Sequence, residues 1–340
     1  MLWHPLLLKY QKIERQERMV SIKDVAKHAG VAISTVSKVL NNYPNISEST
    51  REKVMAAVEE LNFVPNSVAA ALSSKNAGRV ALMIDLNVTT QAIDEIAMRY
   101  ISGAITKAME LNLDVITLFV FMFRDKAVEE LIRYLQSQSI TGIIIYGAAE
   151  DDDMLQQLIV SEKFKCVVVD NNYVSDNISS VSINHKKAQY DVAKVLIEEA
   201  TVKKILYISG DENSYVTKTR LEGIKELVNE KGIELLVKNG EFSERKSGEI
   251  VIQYGKEVDA VICASDLMAI GAKAAMKQIQ AECPICGFDG ISLMRYAGRG
   301  MYTISQNFSE ISAIAMEEVQ RLLSGEKGKL IEADYSLIKY

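Results

Sequence analysis

The chain has 340 residues, 48% of them hydrophobic and 25% charged, with four cysteines and a formal net charge of −6. These proportions describe a globular chain with core enough for more than one domain, and they exclude a disordered tail or a disulfide scaffold. No apolar run reaches the length of a membrane span. The charge is divided unevenly: residues 1–79 hold eleven Lys/Arg against seven Asp/Glu, giving +4, and the remainder carries −10.

Residues 1–18, MLWHPLLLKYQKIERQER, carry an apolar run too short for a signal peptide and followed by charges. Three short helices are expected over residues 20–61. Ser21 is placed to cap the first, with Asp24 three residues on completing a capping-box pattern. Ile22, Val25, Ala26 and Ala29 form one apolar stripe, and Gly30 ends the helix where a sharp turn needs positive φ. The second helix turns Val36, Val39 and Leu40 inward and Ser34, Lys38 and Asn41 outward. Helix, glycine turn and helix with a polar outer face is the helix-turn-helix arrangement. Ser47 is expected to cap the third helix, which repeats the inward spacing at Val54, Ala57, Val58 and Leu61. Beyond Pro65 and Asn66, the run Ser67 to Leu72 has high helix propensity but too few residues to hold a helix alone. It is expected to fold only against a partner.

SIKDVAKHAGVAISTVSKVLN, then STREKV, then LNFVPNSVAAAL, resembles the headpiece and hinge of the lactose-repressor family across the whole stretch. The resemblance implies a dimeric, effector-controlled transcription factor that binds a palindromic operator in double-stranded DNA, and a cytoplasmic location. It implies base reading by Ile33, Ser34 and Lys38, with Ser37 and Asn41 on the same helix. Asn66, Ala69 and Leu72 would make the hinge contacts, Leu72 as a minor-groove wedge. The basic end of the chain then coincides with the DNA-binding end, as phosphate contact requires. One position departs: Ala32 stands where the family usually has Ser or Thr, removing a hydroxyl cap typically worth ~1 kcal/mol. Met19 immediately precedes the family's usual starting point, so residues 1–18 are expected to be an extension outside the domains. The headpiece is then 19–64, the hinge and linker 65–78, and the body 79–340. The plain alternative for residues 20–61 is a three-helix module without a DNA role.

From Arg79 onward, short apolar runs alternate with helical segments. Strands are expected at 80–84, 115–119, 142–146 and 166–170, with helices at 93–110, 126–136 and 152–160 between them. A second series runs helix 186–198, strand 204–208, helix 216–230, strand 234–237, helix 243–254, strand 259–263, helix 266–279 and strand 284–287. A late strand at 302–305 and a helix at 308–323 remain. Such alternation gives parallel sheets covered on both faces. The resemblance names the whole: an all-α helix-turn-helix headpiece with hinge helix, joined to a two-lobed α/β body of the periplasmic-binding-protein type I kind. Crossovers are expected near 183, 290–306 and 324. Lobe one would be about 79–182 plus 306–323, and lobe two about 183–290 plus 324–340.

Ligands of open α/β sheets bind beyond the carboxyl ends of the strands. Asp85, Tyr146, Asp170, Ser209, Ser265, Asp266 and Asp289 fall there. A sugar needs carboxylates for its vicinal hydroxyls, an arginine fork and an aromatic face. By resemblance these are Arg220 in KTRLEG, Asp289 in GFDG, Phe242, and Gln306 in SQN, with Asp170 and Ser265 completing the set. Ser265 replaces the family's usual Asn, and the family's Asn-Pro-aromatic element near 87–91 reads NVTTQAID here. Arg220 is alternatively a solvated helix-start cation, and Asp170 and Asp289 turn residues. Asp266 is expected to cap its helix in either case, and Glu150–Asp153 to sit at a helix N-terminus favoured by the dipole.

Cys283-Pro-Ile-Cys286 is a C-x-x-C without a second pair or a nearby histidine, so buried apolar thiols are expected rather than zinc or redox chemistry. No nucleophile–base constellation or nucleotide motif is present, so neither an enzyme nor a cofactor is expected. The function expected is a repressor of carbohydrate genes controlled by a sugar or sugar phosphate. Its rivals are a family member controlled by a protein co-regulator, and a sugar-binding protein or enzyme without DNA function.

Overall fold

The computed structural model describes residues 20–40, 43, 45–61, 63, 79–85 and 95–340. The chain divides into two compact units, 1–77 and 78–340.

In the first unit, α1 (Ile22–Ala29), α2 (Ile33–Leu40) and α3 (Glu48–Glu60) enclose a core of Val25, Ala26, Val36, Val39, Val54 and Ala57. The Asp24 carboxylate accepts from both the backbone N–H (2.9 Å) and the hydroxyl (2.6 Å) of Ser21, tying off the start of α1. Gly30 ends it at φ 65°, a left-handed conformation in which its N–H bonds the Ala26 carbonyl and closes the helix before the turn to α2. Ser47 precedes α3, but its hydroxyl bonds Thr50 Oγ1 at 2.8 Å rather than the backbone N–H groups of the first turn.

The second unit has two sheets. Its elements begin β1 (Arg79–Ile84), α4 (Glu95–Leu111), β2 (Asp114–Phe119), α5 (Val128–Ser137), β3 (Ile140–Tyr146), α6 (Asp153–Val160), β4 (Lys165–Val169) and β5 (Ile178–Ile183). They continue as α7 (His185–Glu198), β6 (Lys204–Ser209), α8 (Tyr215–Lys231), β7 (Glu234–Asn239), α9 (Glu244–Tyr254), β8 (Ala260–Cys263), α10 (Asp266–Gln278) and β9 (Ile285–Cys286). The chain closes with α11 (Met294–Ala297), β10 (Tyr302–Gln306), α12 (Phe308–Leu323), β11 (Leu330–Ala333) and β12 (Tyr335–Lys339). The first sheet has the order β11-β5-β4-β3-β1-β2 and is parallel throughout. The second has the order β12-β10-β9-β8-β6-β7, with only β12 antiparallel.

Two expectations are corrected. The last crossing lies at Asp334, between β11 and β12, and not near 324. β11 pairs in parallel with β5, Leu330 opposite Ser180, so residues up to Ala333 belong to the first lobe. The middle crossing lies at Asn307, because β10 pairs with β9 and β12 and so stays in the second lobe. α12 then packs on α4, β3, β4 and β5 of the first.

β5, with the sequence ISSVSI, is fully buried, and the alternation of apolar runs does not reveal it. Its serines are tolerated because they are bonded. The Ser179 hydroxyl donates to Glu318 Oε1 at 2.6 Å and that of Ser180 to the Tyr173 carbonyl at 2.8 Å. The buried Glu318 carboxylate is in turn held by Arg321.

α4 and α12 approach closely at Gly103, where an added Cβ would stand 2.1 Å from the Ser309 carbonyl oxygen. Neither backbone can yield without separating the two helices. Gly103→Ala is expected to cost ~1–3 kcal/mol through overpacking, read as a melting temperature several degrees lower. An unchanged melt would show that the helices move apart freely.

Candidate functional site

On the first unit, α2 presents Ile33, Ser34 and Lys38 to solvent, and Ser37 is half-buried beside them. Ile33 is 45% exposed, a large apolar side chain left outside a core that holds its neighbours Val36 and Val39. Ala32 stands directly before α2, its carbonyl accepting from Thr35 and Val36. With no side-chain oxygen at this position, the first N–H groups of α2 lack the usual local acceptor and remain suited to an anion such as a phosphate. Asn41, Asn66, Ala69 and Leu72 lie outside the described residues.

In the second unit, the strand ends of the two sheets face each other across a cleft of about 660 Å³. Asp170, Arg220, Phe242, Ser265, Asp289 and Gln306 all line it. The folding reason is topological: Asp170 follows β4, Asp289 follows β9 and Gln306 ends β10, so parallel strands deliver them to one edge. Four non-glycine lining residues have positive φ, Asp170 at 58°, Glu241 at 50°, Phe242 at 53° and Asp289 at 120°. Non-glycine residues rarely adopt this conformation, and it concentrates where side-chain placement matters more than local stability.

Arg220 is the centre. Its guanidinium stacks on Phe288 at 3.8 Å from the ring centroid, donates to the Ala264 carbonyl at 2.5 Å, and lies 3.6 Å from Asp289. Its Nε donates to Nδ1 of His185 at 3.3 Å, and His185 Nε2 lies 2.9 Å from Asp170 Oδ1. Because a guanidinium only donates, Nδ1 must be bare, so the ring is neutral and gives its Nε2 proton to Asp170. Burial keeps the His185 pKa below its ordinary value, in accord with that geometry. Burial alone would raise the Asp170 carboxyl, but His185, Arg220 and the Tyr100 hydroxyl at 3.2 Å outweigh it and hold it low. Burial pushes Asp289 up to about 7, moderated by Arg220 and by Gln306, whose Nε2 donates to it at 3.0 Å. Tyr100, Tyr146 and Phe308 form an aromatic wall, Tyr100 lying 4.5 Å from Tyr146 and 5.2 Å from Phe308. Phe242 lies over Gly210, where a Cβ would strike its ring.

Asp266 is not the helix cap. Ser265 holds that position, its hydroxyl accepting from the Met268 N–H. Asp266 is instead fully buried beneath the cleft, accepting from Thr303 Oγ1 at 2.6 Å and the Ile291 N–H at 2.9 Å. Ser209 bonds the Lys238 carbonyl, and Asp85 lines the cleft paired with Arg124. Of the acidic run, only Asp152 caps a helix, accepting from the Leu155 N–H. Glu150 and Asp151 reach the other lobe, at Lys218 and Asn213. Opposite them, Glu95 of the first lobe accepts from the N–H and hydroxyl of Ser292 in the second. Sequence reasoning missed Glu95, Tyr100 and His185. No sequence signal singles out His185, because the strand before it is itself not evident from the sequence.

The thiols of Cys166, Cys263 and Cys286 are buried, and burial raises Cys166 to about 12 and the half-buried Cys283 to about 11, leaving no thiolate at neutral pH. Among the described residues, no group of His, Cys, Asp and Glu is placed to hold a metal, and no helix is long and apolar enough to cross a membrane.

Residues 21–66 match the family model for bacterial regulatory proteins of the lacI family. Residues 98–283 match that for periplasmic binding proteins and the sugar-binding domain of the LacI family. The regulator RegA of Clostridium saccharobutylicum is 30% identical over 93% of this chain and 96% of its own. MalR of Clostridium butyricum is 27% identical over 94% and 98%. The lac repressor dimer bound to operator and an anti-inducer shares the fold, with a TM-score of 0.79 at 23% identity over 94% of this chain and 98% of that one. The chain belongs to the lacI family of bacterial regulatory proteins, and it is a DNA-binding transcriptional regulator, not an enzyme.

Proposed function

We propose that the protein is a homodimeric repressor of carbohydrate-utilisation genes whose affinity for a palindromic operator is set by a sugar or sugar phosphate in the cleft. The observation that carries this reading is the convergence of Asp170, Arg220 and Asp289 on one floor between two lobes, flanked by an aromatic wall. Carboxylates accept from vicinal hydroxyls, the guanidinium donates to ring or hydroxyl oxygens, and aromatic faces cover apolar C–H surfaces. Phe242, Ser265 and Gln306 complete the set. A ligand touching both lobes binds one lobe arrangement better than another, and that difference alone limits how far it shifts operator affinity.

On the DNA side, Ile33, Ser34 and Lys38 are the proposed base readers, with Ser37 and Asn41 beside them and Asn66, Ala69 and Leu72 in the hinge. Lys38→Ala is expected to weaken binding to an operator selected from random-sequence DNA by ~1–3 kcal/mol and to relax preference at one base step. The deciding experiment is a fluorescence-anisotropy titration of that operator with and without candidate sugars, repeated for Lys38→Ala. Tight, salt-sensitive binding that a sugar weakens supports the reading. Operator binding indifferent to every sugar but altered by a phosphorylated carrier protein would transfer control to a protein co-regulator.

A further inference from the structure

The charge in the cleft decides between a sugar and a sugar phosphate. Among the described residues, six carboxylates line it, those of Asp85, Glu95, Asp170, Asp211, Glu241 and Asp289, against one cation, Arg220. Three of the six are paired with cations that do not themselves line the cleft. Arg124 lies on Asp85 at 2.9 Å, Arg99 on Glu95 at 2.5 Å, and Lys246 on Glu241. That leaves Asp170 and Asp211, together with an Asp289 that burial keeps partly protonated near neutral pH, facing a single guanidinium beside a neutral His185. Arg220 is also engaged already, with the Ala264 carbonyl, His185 and the Phe288 ring, so it is not a free clamp for a dianion.

The hydrogen-bonding inventory points the same way. Gln306 is 1% exposed, one N–H of its Nε2 donates to Asp289, and its Oε1 has no partner among the described residues. Asp211 accepts from the Asn213 N–H through Oδ1 alone, and forms no ion pair among the described residues. The start of α8 meets the cleft at Val216, but Asp211 already stands just before that helix. The cleft is therefore rich in acceptors, and an acceptor-rich pocket needs an occupant that brings donors. Sugar hydroxyls supply them, whereas a phosphate offers only more acceptors and further negative charge.

We propose that the cleft admits an unphosphorylated, hydroxyl-rich sugar and rejects the phosphorylated form of the same sugar. This rests on the reading of the cleft as the effector site. The aromatic wall of Tyr100, Tyr146 and Phe308 covers the apolar face of the ring, and Asp170, Asp289 and Gln306 Oε1 take its hydroxyl protons.

The test is calorimetric titration of the full chain with matched pairs: ribose and ribose 5-phosphate, glucose and glucose 6-phosphate, maltose and maltose 6′-phosphate, cellobiose and cellobiose 6-phosphate. In any pair that binds, the free sugar is expected to bind about ten-fold or more tightly than its phosphate, the gap widening as ionic strength falls. Asp211→Lys, which brings a cation to the cleft mouth, is expected to narrow that gap. A phosphate that binds as well as its sugar, and loses binding in Arg220→Ala, overturns the inference while leaving the effector reading intact. A gap unmoved by Asp211→Lys and by salt overturns the electrostatic argument. Binding by no member of any pair overturns both readings.

Discussion

Replacing Arg220 by alanine is expected to abolish the response of operator binding to the effector and to lower the melting temperature of the body. The first effect follows from chemistry at the floor of the cleft. A buried charged hydrogen bond to a ligand contributes roughly 1.5–3 kcal/mol, so losing the guanidinium costs ten-fold or more in effector affinity. The second follows from what remains. Asp289 is buried and Asp170 partly buried in the cleft floor, and Arg220 lies 3.6 Å from the first and across the His185 ring from the second. Removing one partner of a buried charge cluster typically costs ~3–5 kcal/mol, because the other charges stay desolvated without it. Loss of the arginine also strips His185 Nδ1 of its donor and Phe288 of its stacking partner. Arg220→Lys keeps the charge but neither the planar stack nor the fork, so it is expected to recover part of the stability and little of the effector response. Phe242→Ala provides a second reading of the site: its ring lines the cleft over Gly210 and carries no charge, so it is expected to weaken effector binding with a smaller loss of stability. Operator binding measured by anisotropy, with thermal melts in parallel, separates the two effects. A full effector response in both Arg220→Ala and Phe242→Ala would place the effector elsewhere.

What could be read in the sequence follows the range over which each signal acts. The headpiece was legible because its evidence is local. Asp24 lies three residues from Ser21, Gly30 adopts the turn that its position requires, and the inward Val36 and Val39 are three residues apart on a helix. The alternating strands and helices of the body were legible for the same reason, since an apolar run such as GIIIY can hardly be anything but a buried strand. β5 was not, because what makes ISSVSI a core strand is Glu318, some 140 residues later, accepting from Ser179. The last crossing was missed because β11, LIEA, is a half-exposed edge strand, and only its pairing with β5 assigns it a lobe. The cleft shows both behaviours. Asp170 and Asp289 stand at strand ends, where topology alone makes them candidates, and Arg220 came from the resemblance. His185 carries no sequence pattern. Its role exists only because β4, α7 and α8 bring Asp170 and Arg220 to opposite sides of one ring.

Val36→Asp is expected to unfold the headpiece, removing operator binding while the body keeps its melting transition and its cleft. The asymmetry comes from size. Among the described residues the first unit has six buried core side chains, two of them alanines, whereas the body has two sheets with extensive cores. A unit this small rarely has more than ~3–5 kcal/mol of stability. Val36 is 0% exposed at the centre of that core, in contact with residues of α1 and α3. A carboxylate there would sit in the apolar cluster of Val25, Ala26, Val39, Val54 and Ala57, and burying a polar group without a partner costs several kcal/mol, enough to exceed the whole margin. Val36→Ala removes only two methyl groups, about 1.6 kcal/mol of transfer free energy before any cavity term, so it should leave a partly populated headpiece with weakened operator affinity. The series therefore grades folding, whereas Lys38→Ala, at an exposed position on the same helix, grades contact: its headpiece stays folded and only the base preference changes. Far-UV circular dichroism and limited trypsin digestion at the lysines and arginines between Lys23 and Lys53 report the folding, and anisotropy reports the DNA. If Val36→Asp binds operator as tightly as the natural chain, the three helices do not pack through Val36, and the headpiece assignment fails with them.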